Sequence, residues 1–564
     1  MKPSSSAILV AVLAVAACLH TAALPAASPE SPAERDARLA WWRDARFGLF
    51  IHWGPVSLKG TEIGWSRGGD RRGYGSRGSE VPADVYDNLF KQFNPTGFNA
   101  REWVALAQAA GMKYLVFTSR HHDGFSMFDT AVSDHKITNP SSPFRRDVVK
   151  ELADACHEAG LRFGLYYSQP DWHHPDAFTP DRHNRYLDYL RAQVRELCSN
   201  YGRLDIFWFD GLGKSAADYD GQGLVHIIRS LQPAILVNNR TGLPEDFDTP
   251  EQQVGKFQID RPWESCITIC HQWAWKPNDR LKSLEECLHT LVRCAGGDGN
   301  LLFNVGPMPD GRIEPRQVDR LREMGAWLAR HGSSIYGTRG GPFKPGAWGA
   351  STRRGNTVFL HLFQPSDRPL DFPPLKHRVK AATLLHHGTA VGVQQTPERL
   401  TLDLPPASWQ TIDTVVTLDL DGPASELPPV SLASASLAAG KPARASNVHQ
   451  GQREYAASRA MDDDDTTRWA TDGGTHAAWI EVDLGKPTAV GRLKVDEAFS
   501  GRVRRFELQY LEGETWKACL TGTTLGNAYN KSFPPVTARV FRLNILEATE
   551  GPTLNELQLF PPGR

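Results

Sequence analysis

The chain has 564 residues, 40% of them apolar and 23% charged, which excludes disordered, fibrous and collagen-like classes and leaves room for several folded domains. With 63 basic against 64 acidic residues the formal net charge is -1, so no bulk field draws it to nucleic acid or an anionic membrane and its partners must be recognised locally. Sixteen Trp, 13 Tyr, 25 Phe and 19 His supply flat apolar faces and neutral donors, a composition suited to neutral polyhydroxylated ligands such as sugars.

The chain opens on Lys2 and the apolar run Ala7–Ala17, too short for a membrane span of about 20 residues and read as part of a secretory signal over residues 1–27. Two endings compete: cleavage between Ala16 and Ala27, or a lipoprotein pattern in which Val15-Ala16-Ala17 precedes an anchoring Cys18. The protein is therefore expected to be secreted or periplasmic, or membrane-anchored through Cys18. Residues 28–39, rich in Ala, Pro, Ser and Glu, read as a flexible lead-in.

From residue 40 to 343 one rhythm repeats: a short apolar run, a polar burst, an amphipathic helical stretch. The runs are Phe47–Trp53, Tyr114–Thr118, Arg162–Tyr167, Leu204–Phe209, Ile235–Val237, Cys266–Ile269 and Leu301–Val305, with helical patterns such as Ala100–Ala110, Asp147–Ala159, Arg182–Tyr201 and Gly223–Leu231 between them. Continuous apolar strands alternating with helices predict a parallel sheet buried on both faces, and without a Gly-rich phosphate fingerprint a (β/α)8-like TIM barrel. Beyond it, alternating segments such as Thr357–Phe363, Ala382–His386, Arg399–Leu404 and Thr414–Leu418 predict a small β-sandwich over 344–420. Residues 421–441, dominated by Pro, Ser, Ala and Gly, read as a linker, and 442–564 as a second all-β domain with strands near Trp479–Leu484, Ala489–Val495, Arg505–Leu511 and Val540–Ile545. Seven cysteines besides Cys18, an odd number without zinc-site spacing, predict small buried hydrophobes and no disulfide framework.

In a parallel barrel, reactive groups belong at the C-terminal ends of strands. His52 and Trp53 end the first run; Arg120, His121, His122 and Asp123 follow the second; Tyr167, Asp171 and Trp172 follow the third. Asp210 ends the fourth, Asn238, Asn239 and Arg240 the fifth, and Glu264 precedes the sixth. Glycoside hydrolysis needs one ionised carboxylate and one protonated carboxyl. Asp210 suits the first role. Glu264, after Pro262-Trp263, suits the second because burial against Trp raises a carboxyl pKa; Glu251, on the loop after the fifth strand, is the rival acid. The pairs His121-His122 and His173-His174 read as sugar-hydroxyl partners and not as metal ligands, since neighbouring strand residues face opposite ways.

The stretches Phe47–Gly54, Lys113–Phe125, Asp205–Gly211, Asn238–Arg240, Pro262–Glu264 and Asn300–Pro315 together resemble the family 29 glycoside hydrolases, retaining α-L-fucosidases. The resemblance implies a barrel followed by a β-sandwich, Asp210 as nucleophile, and His52, Trp65, His121, His122, Tyr167, Arg240 and Trp273 lining a fucose pocket, with no cofactor for catalysis. Two departures stand out: many members carry Glu immediately before the tryptophan matching Trp65, where this chain has Gly64 with Glu62 two places earlier, and the family's Trp-Gly-Tyr is here Trp273-Ala274-Trp275. The last domain resembles discoidin or coagulation-factor C domains, close to family 32 carbohydrate-binding modules, through Ala460–Trp469, Trp479–Gly485 and Asn555–Leu557. That likeness implies a structural calcium held by Asp462, Asp464, Thr467 and Glu556. The expected activity is exo-acting, retaining hydrolysis of terminal α-L-fucose from fucosylated oligosaccharides or glycoconjugates; a transfucosidase and a catalytically inactive fucose-binding protein are the alternatives.

Overall fold

The computed structural model describes residues 30–69, 80–432, 436–464, 467–526 and 529–562. The expected signal segment and Cys18 lie outside these residues. Seven parallel strands, β1 (Phe47–Ile51), β2 (Tyr114–Arg120), β3 (Arg162–Ser168), β4 (Ile206–Asp210), β5 (Leu236–Val237), β6 (Glu264–Thr268) and β7 (Asn300–Val305), follow the seven apolar runs and pair in the order β5-β4-β3-β2-β1-β7-β6. Among the described residues no strand ladder joins β5 to β6. The irregular segment 246–252 fills the gap: Asp246 donates to Val237 O, Asn239 to Phe247 O, Glu264 to Asp248 O and Cys266 to Pro250 O. Single parallel bridges, Asn238 to Phe247, Asp248 to Trp263 and Glu251 to Cys266, make this stretch the eighth stave of the TIM-like barrel.

Period-2 alternation sorts the strand residues into two cores. Phe47, Leu49, Ile51, Phe117, Leu165, Tyr167, Phe207 and Phe303 face the surrounding helices, while Phe50, Tyr114, Val116, Tyr166, Trp208, Cys266 and Leu302 fill the barrel. Gly48 is required by this filling, because a Cβ there would collide with the Tyr114 ring. Helix ends follow their local chemistry: Asp147 caps Val148–Ala159 at Lys150 N, and Gly160 ends it at φ 67.

Two expectations of flexibility are corrected. Residues 32–45 form a helix opened by a Ser31/Glu34 capping box; its Leu39 and Trp42 are buried under the barrel, and Arg38 pairs with Asp246 at 2.8 Å. The lead-in is therefore folded. The 421–441 segment is likewise mostly packed: Ala424 and Leu427 belong to the sandwich core, Val430 donates to Pro342 O, and Leu437 donates to Leu559 O. Its Pro and Gly mark turns, and apolar residues between them find docking sites that composition does not reveal.

The small sandwich sets a five-stranded sheet against a three-stranded one. The C-terminal domain is an antiparallel β-sandwich with its own core. The stretches expected as Trp479–Leu484 and Ala489–Val495 form one long strand, Ala478–Glu497, with a register shift between Asp483 and Thr488. All seven described cysteines are free, six of them buried, and no described helix is long and apolar enough to cross a membrane.

Candidate active site

At the C-terminal end of the barrel a cleft is lined by Phe50, His52, Trp65, His121, His122, Tyr166, Trp208, Asp210, Leu212, Arg240, Glu251, Cys266 and Trp273. A larger cavity, lined by Gln253, Val254, Lys256 and Trp263, contains none of the carboxylates considered, so size does not identify the site; convergence of chemistry does.

Asp210 is the last residue of β4 and has the inward parity of Ile206 and Trp208. Its Oδ2 accepts the Tyr166 hydroxyl at 2.9 Å and lies 3.5 Å from His122 Nε2; its Oδ1 accepts Arg240 Nη1 at 3.2 Å. Arg240 Nη2 donates to Glu251 Oε2 at 2.8 Å, Nε donates to Thr249 Oγ1, and the guanidinium lies 4.6 Å over the Trp208 ring. One planar cation therefore orients both carboxylates. Glu251 reaches the cleft because the closing segment 246–252 ends here, and it keeps 43% of its side chain exposed.

The first-choice acid, Glu264, is placed elsewhere. It is the first residue of β6, opposite Asn300 at the start of β7, so about four residues of strand, roughly 13 Å, separate it from the reactive end. Its carboxylate accepts Trp42 Nε1 at 3.2 Å, Trp208 Nε1 at 3.3 Å and the Tyr114 hydroxyl. Burial pushes this carboxyl up, to about 7, but a raised pKa at the start of the strand does not bring Glu264 to the cleft.

Tyr167 is also corrected. It has the outward parity of β3, donates to Gln193 Oε1 at 2.8 Å and carries the Arg120 guanidinium over its ring at 4.3 Å. Its neighbour Tyr166 lines the cleft. Strand alternation was the signal available, since inward residues repeat every second position.

His121 and His122 both line the cleft, with ring centroids 4.1 Å apart, because they follow the end of β2 in a turn where alternation no longer applies. Hydrogen-bond roles assign two tautomers. Ser168 Oγ donates to Pro170 O and so accepts from His122 Nδ1; Asn304 Nδ2 donates to Trp273 O, so its Oδ1 accepts from His52 Nδ1. Each ring keeps Nε2 as an acceptor. Burial lowers all three rings, His52 to about 4 against the opposing Asn304 hydrogen bond, and His121 and His122 well below the ordinary value with the neighbouring imidazoles adding to the effect, so three neutral imidazoles face the cleft. His121 Nδ1 has no hydrogen-bond partner among the described residues. Gly64, at φ 66, lies so close that a Cβ would approach His121 Nδ1 to 2.6 Å, which explains why no glutamate occupies that position.

In the C-terminal domain the Thr467 hydroxyl lies 2.8 Å from Arg459 O and 2.8 and 2.9 Å from the two Asp462 oxygens, more acceptors than its one proton serves, and Asp464 N–H donates to Glu556 Oε1 at 2.9 Å. Burial and the Asp464 charge raise the Asp462 carboxyl, a strain that a cation would relieve. Among the described residues no three His, Cys, Asp or Glu side chains are arranged to hold a metal, so an ion here would lean on hydroxyl and carbonyl oxygens.

A parallel barrel with an inward carboxylate at a strand tip, a second carboxylate on the same arginine and neutral imidazoles around them defines a glycoside hydrolase. A family model for α-L-fucosidase matches residues 14–333, and one for the F5/8 type C domain matches 442–557. The chain is 30% identical to plasma alpha-L-fucosidase of Homo sapiens over 413 residues, 66% of this chain and 88% of that protein, and 30% identical to human tissue alpha-L-fucosidase over 326 residues, 53% and 69%. Among solved structures, alpha-L-fucosidase isoenzyme 1 from Paenibacillus thiaminolyticus is 36% identical with a TM-score of 0.63, covering 69% of this chain and 99% of its own. A trapped covalent intermediate of a Bacteroides thetaiotaomicron alpha-L-fucosidase, formed with 2-fluoro-fucosyl fluoride, is 26% identical with a TM-score of 0.61, covering 69% and 97%. The chain belongs to the α-L-fucosidase family and carries a C-terminal F5/8 type C domain.

Proposed function

We propose that the protein is an exo-acting, retaining α-L-fucosidase in which Asp210 is the nucleophile and Glu251 the acid/base. The observation that carries this reading is the Arg240 bridge, which places both carboxylates at one end of one cleft. An Asp210 oxygen attacks the anomeric carbon as the bond to the leaving oxygen breaks, and Glu251 gives that oxygen its proton. Glu251, now a carboxylate, takes a proton from water; the water oxygen attacks the same carbon and releases Asp210. Tyr166 and Arg240, bonded to the two Asp210 oxygens, hold the carboxylate in orientation without becoming covalent partners. Neutral His52, His121 and His122 exchange hydrogen bonds with sugar hydroxyls without adding charge beside an oxocarbenium-like transition state. The leading apolar run supports work on glycans outside the cytoplasm.

The C-terminal domain is proposed as a targeting module for such glycans, with a structural calcium seated beside Asp462 and Thr467 and completed by hydroxyl and carbonyl oxygens, since the three carboxylates of Asp462, Asp464 and Glu556 do not converge on one point. NMR of the sugar anomer first released, with mass mapping after trapping by 2-fluoro-fucosyl fluoride, tests the mechanism: α-fucose first and label on Asp210 are expected. β-Fucose first, or label elsewhere, overturns it.

A further inference from the structure

Glu62 is part of neither the nucleophile nor the acid/base apparatus, yet its carboxylate is fully engaged. Its Oε2 accepts the backbone N–H of Trp273 at 2.9 Å, and its Oε1 accepts those of Ala274 and Ile63 at 3.0 Å each. On the other side of the same loop, Asp279 Oδ2 accepts the N–H groups of His271 and Gln272, both at 2.9 Å. Four consecutive amides, 271 to 274, thus donate to two carboxylates. The Trp273 carbonyl accepts Asn304 Nδ2 at 2.8 Å, and a Cβ on Gly306 would collide with the backbone of Ala274 and Trp275. The backbone beneath one tryptophan is fixed at its N–H, its C=O and its underside.

This clamping is costly for a loop without helix or strand. A carboxylate removed from water without a cation beside it is penalised, and burial pushes Glu62 up to about 6 with Asp279 the charge facing it. The three amide hydrogen bonds offset that cost. What they hold is the Trp273 indole, 4.7 Å from the His52 ring and 6.0 Å from Phe50, one wall of the cleft.

We propose that Glu62 is a positioning residue for substrate: by gripping the amides of Trp273 and Ala274 it fixes the indole as the surface on which the apolar edge of the bound sugar packs. The proposal rests on the fucosidase reading above. It also accounts for the chain's departure before Trp65: with the space beside His121 closed to any side chain, an acid in this loop acts two places earlier and through the backbone of another wall.

The test compares Glu62→Gln, whose amide turns an N–H toward an N–H, with Trp273→Ala, the double variant, and Asp279→Asn as an independent loosening of the same loop. On an aryl α-L-fucoside, Glu62→Gln should raise KM roughly tenfold with kcat within about threefold, Asp279→Asn should move KM the same way, and adding Trp273→Ala to Glu62→Gln should cost much less than Trp273→Ala alone, the non-additivity of groups acting as one. A lowered Tm with unchanged KM in both single variants, or fully multiplicative effects in the double variant, overturns the proposal. A wild-type enzyme without activity on the fucoside would instead overturn the fucosidase reading.

Discussion

Asp210 and Glu251 share one guanidinium: Arg240 binds the first through Nη1 and the second through Nη2. They arrive there from different kinds of backbone, one from a regular strand tip and the other from the irregular stave that completes the barrel. Their roles separate on substrates differing in leaving-group acidity. Glu251→Ala should cleave natural linkages about 10²–10⁴-fold more slowly, yet form the fucosyl-enzyme almost normally from an aryl fucoside with an acidic leaving group. Asp210→Gly should lose turnover on both and regain some with azide, giving the fucosyl azide of inverted configuration. Equal damage to both substrate classes in Glu251→Ala would remove it from the acid/base role.

Glu264 should matter to stability and not to turnover. Its folded pKa of about 7 lies above the ordinary 4.5, so its protonated form is favoured by folding; that contribution, on the order of 3 kcal/mol at most, is complete below 4.5 and lost as pH rises through 7. Glu264→Gln should keep kcat/KM within a few-fold, and its Tm deficit relative to wild type should shrink between pH 5 and pH 8. Calorimetry across that range decides, and a thousandfold loss of activity in a folded variant would contradict the placement.

The buried imidazoles act in the opposite sense. Folded values below the ordinary 6.5, near 4 for His52, mean that the neutral form is favoured by folding; the contribution is present above 6.5 and lost as pH falls toward 4. His121→Gln, neutral at every pH, should flatten the decline of Tm between pH 6.5 and 4. An unchanged slope would show that His121 is not held neutral by burial.

Gly64 should refuse a glutamate side chain. Gly64→Glu places a Cβ 2.6 Å from His121 Nδ1 at φ 66, a backbone region that costs L-residues roughly 1–2 kcal/mol. KM should rise at least tenfold, and Gly64→Ala should already produce most of the rise. Wild-type kinetics in Gly64→Ala would mean that the His121 ring yields freely.

For the C-terminal domain, a chain ending after residue 432 keeps the packed Ala424–Val430 stretch and should retain its rate on a small aryl fucoside while losing retention on a fucosylated surface. Calcium should raise the melting temperature of the domain's transition in the full chain, and a chelator should reverse it without changing aryl fucoside hydrolysis. An unchanged transition would exclude the ion.

The amino-acid sequence determined the seven staves, because apolar runs buried on both faces need no distant partner to be recognised. It also determined Asp210, Arg240 and the two histidines after β2, since groups following an apolar run fall at the reactive end. It could not determine which glutamate stands beside Asp210. The stave bearing Glu251 contains Asp248, Thr249 and Pro250 where an apolar run would be, and is a stave only through hydrogen bonds to β5 and β6. Glu264 has the neighbours of a raised-pKa acid, but the starting point of β6, fixed by its pairing with β7, puts it at the wrong end. Tyr166 and Tyr167 are separated only by strand parity. The Glu62 grip on Trp273 joins residues 211 positions apart. Periodicity is local, so it yields elements and their ends; register, closure and the meeting of distant loops depend on long-range pairing, and these put Glu251, Tyr166 and Trp273, and not Glu264 or Tyr167, at the cleft.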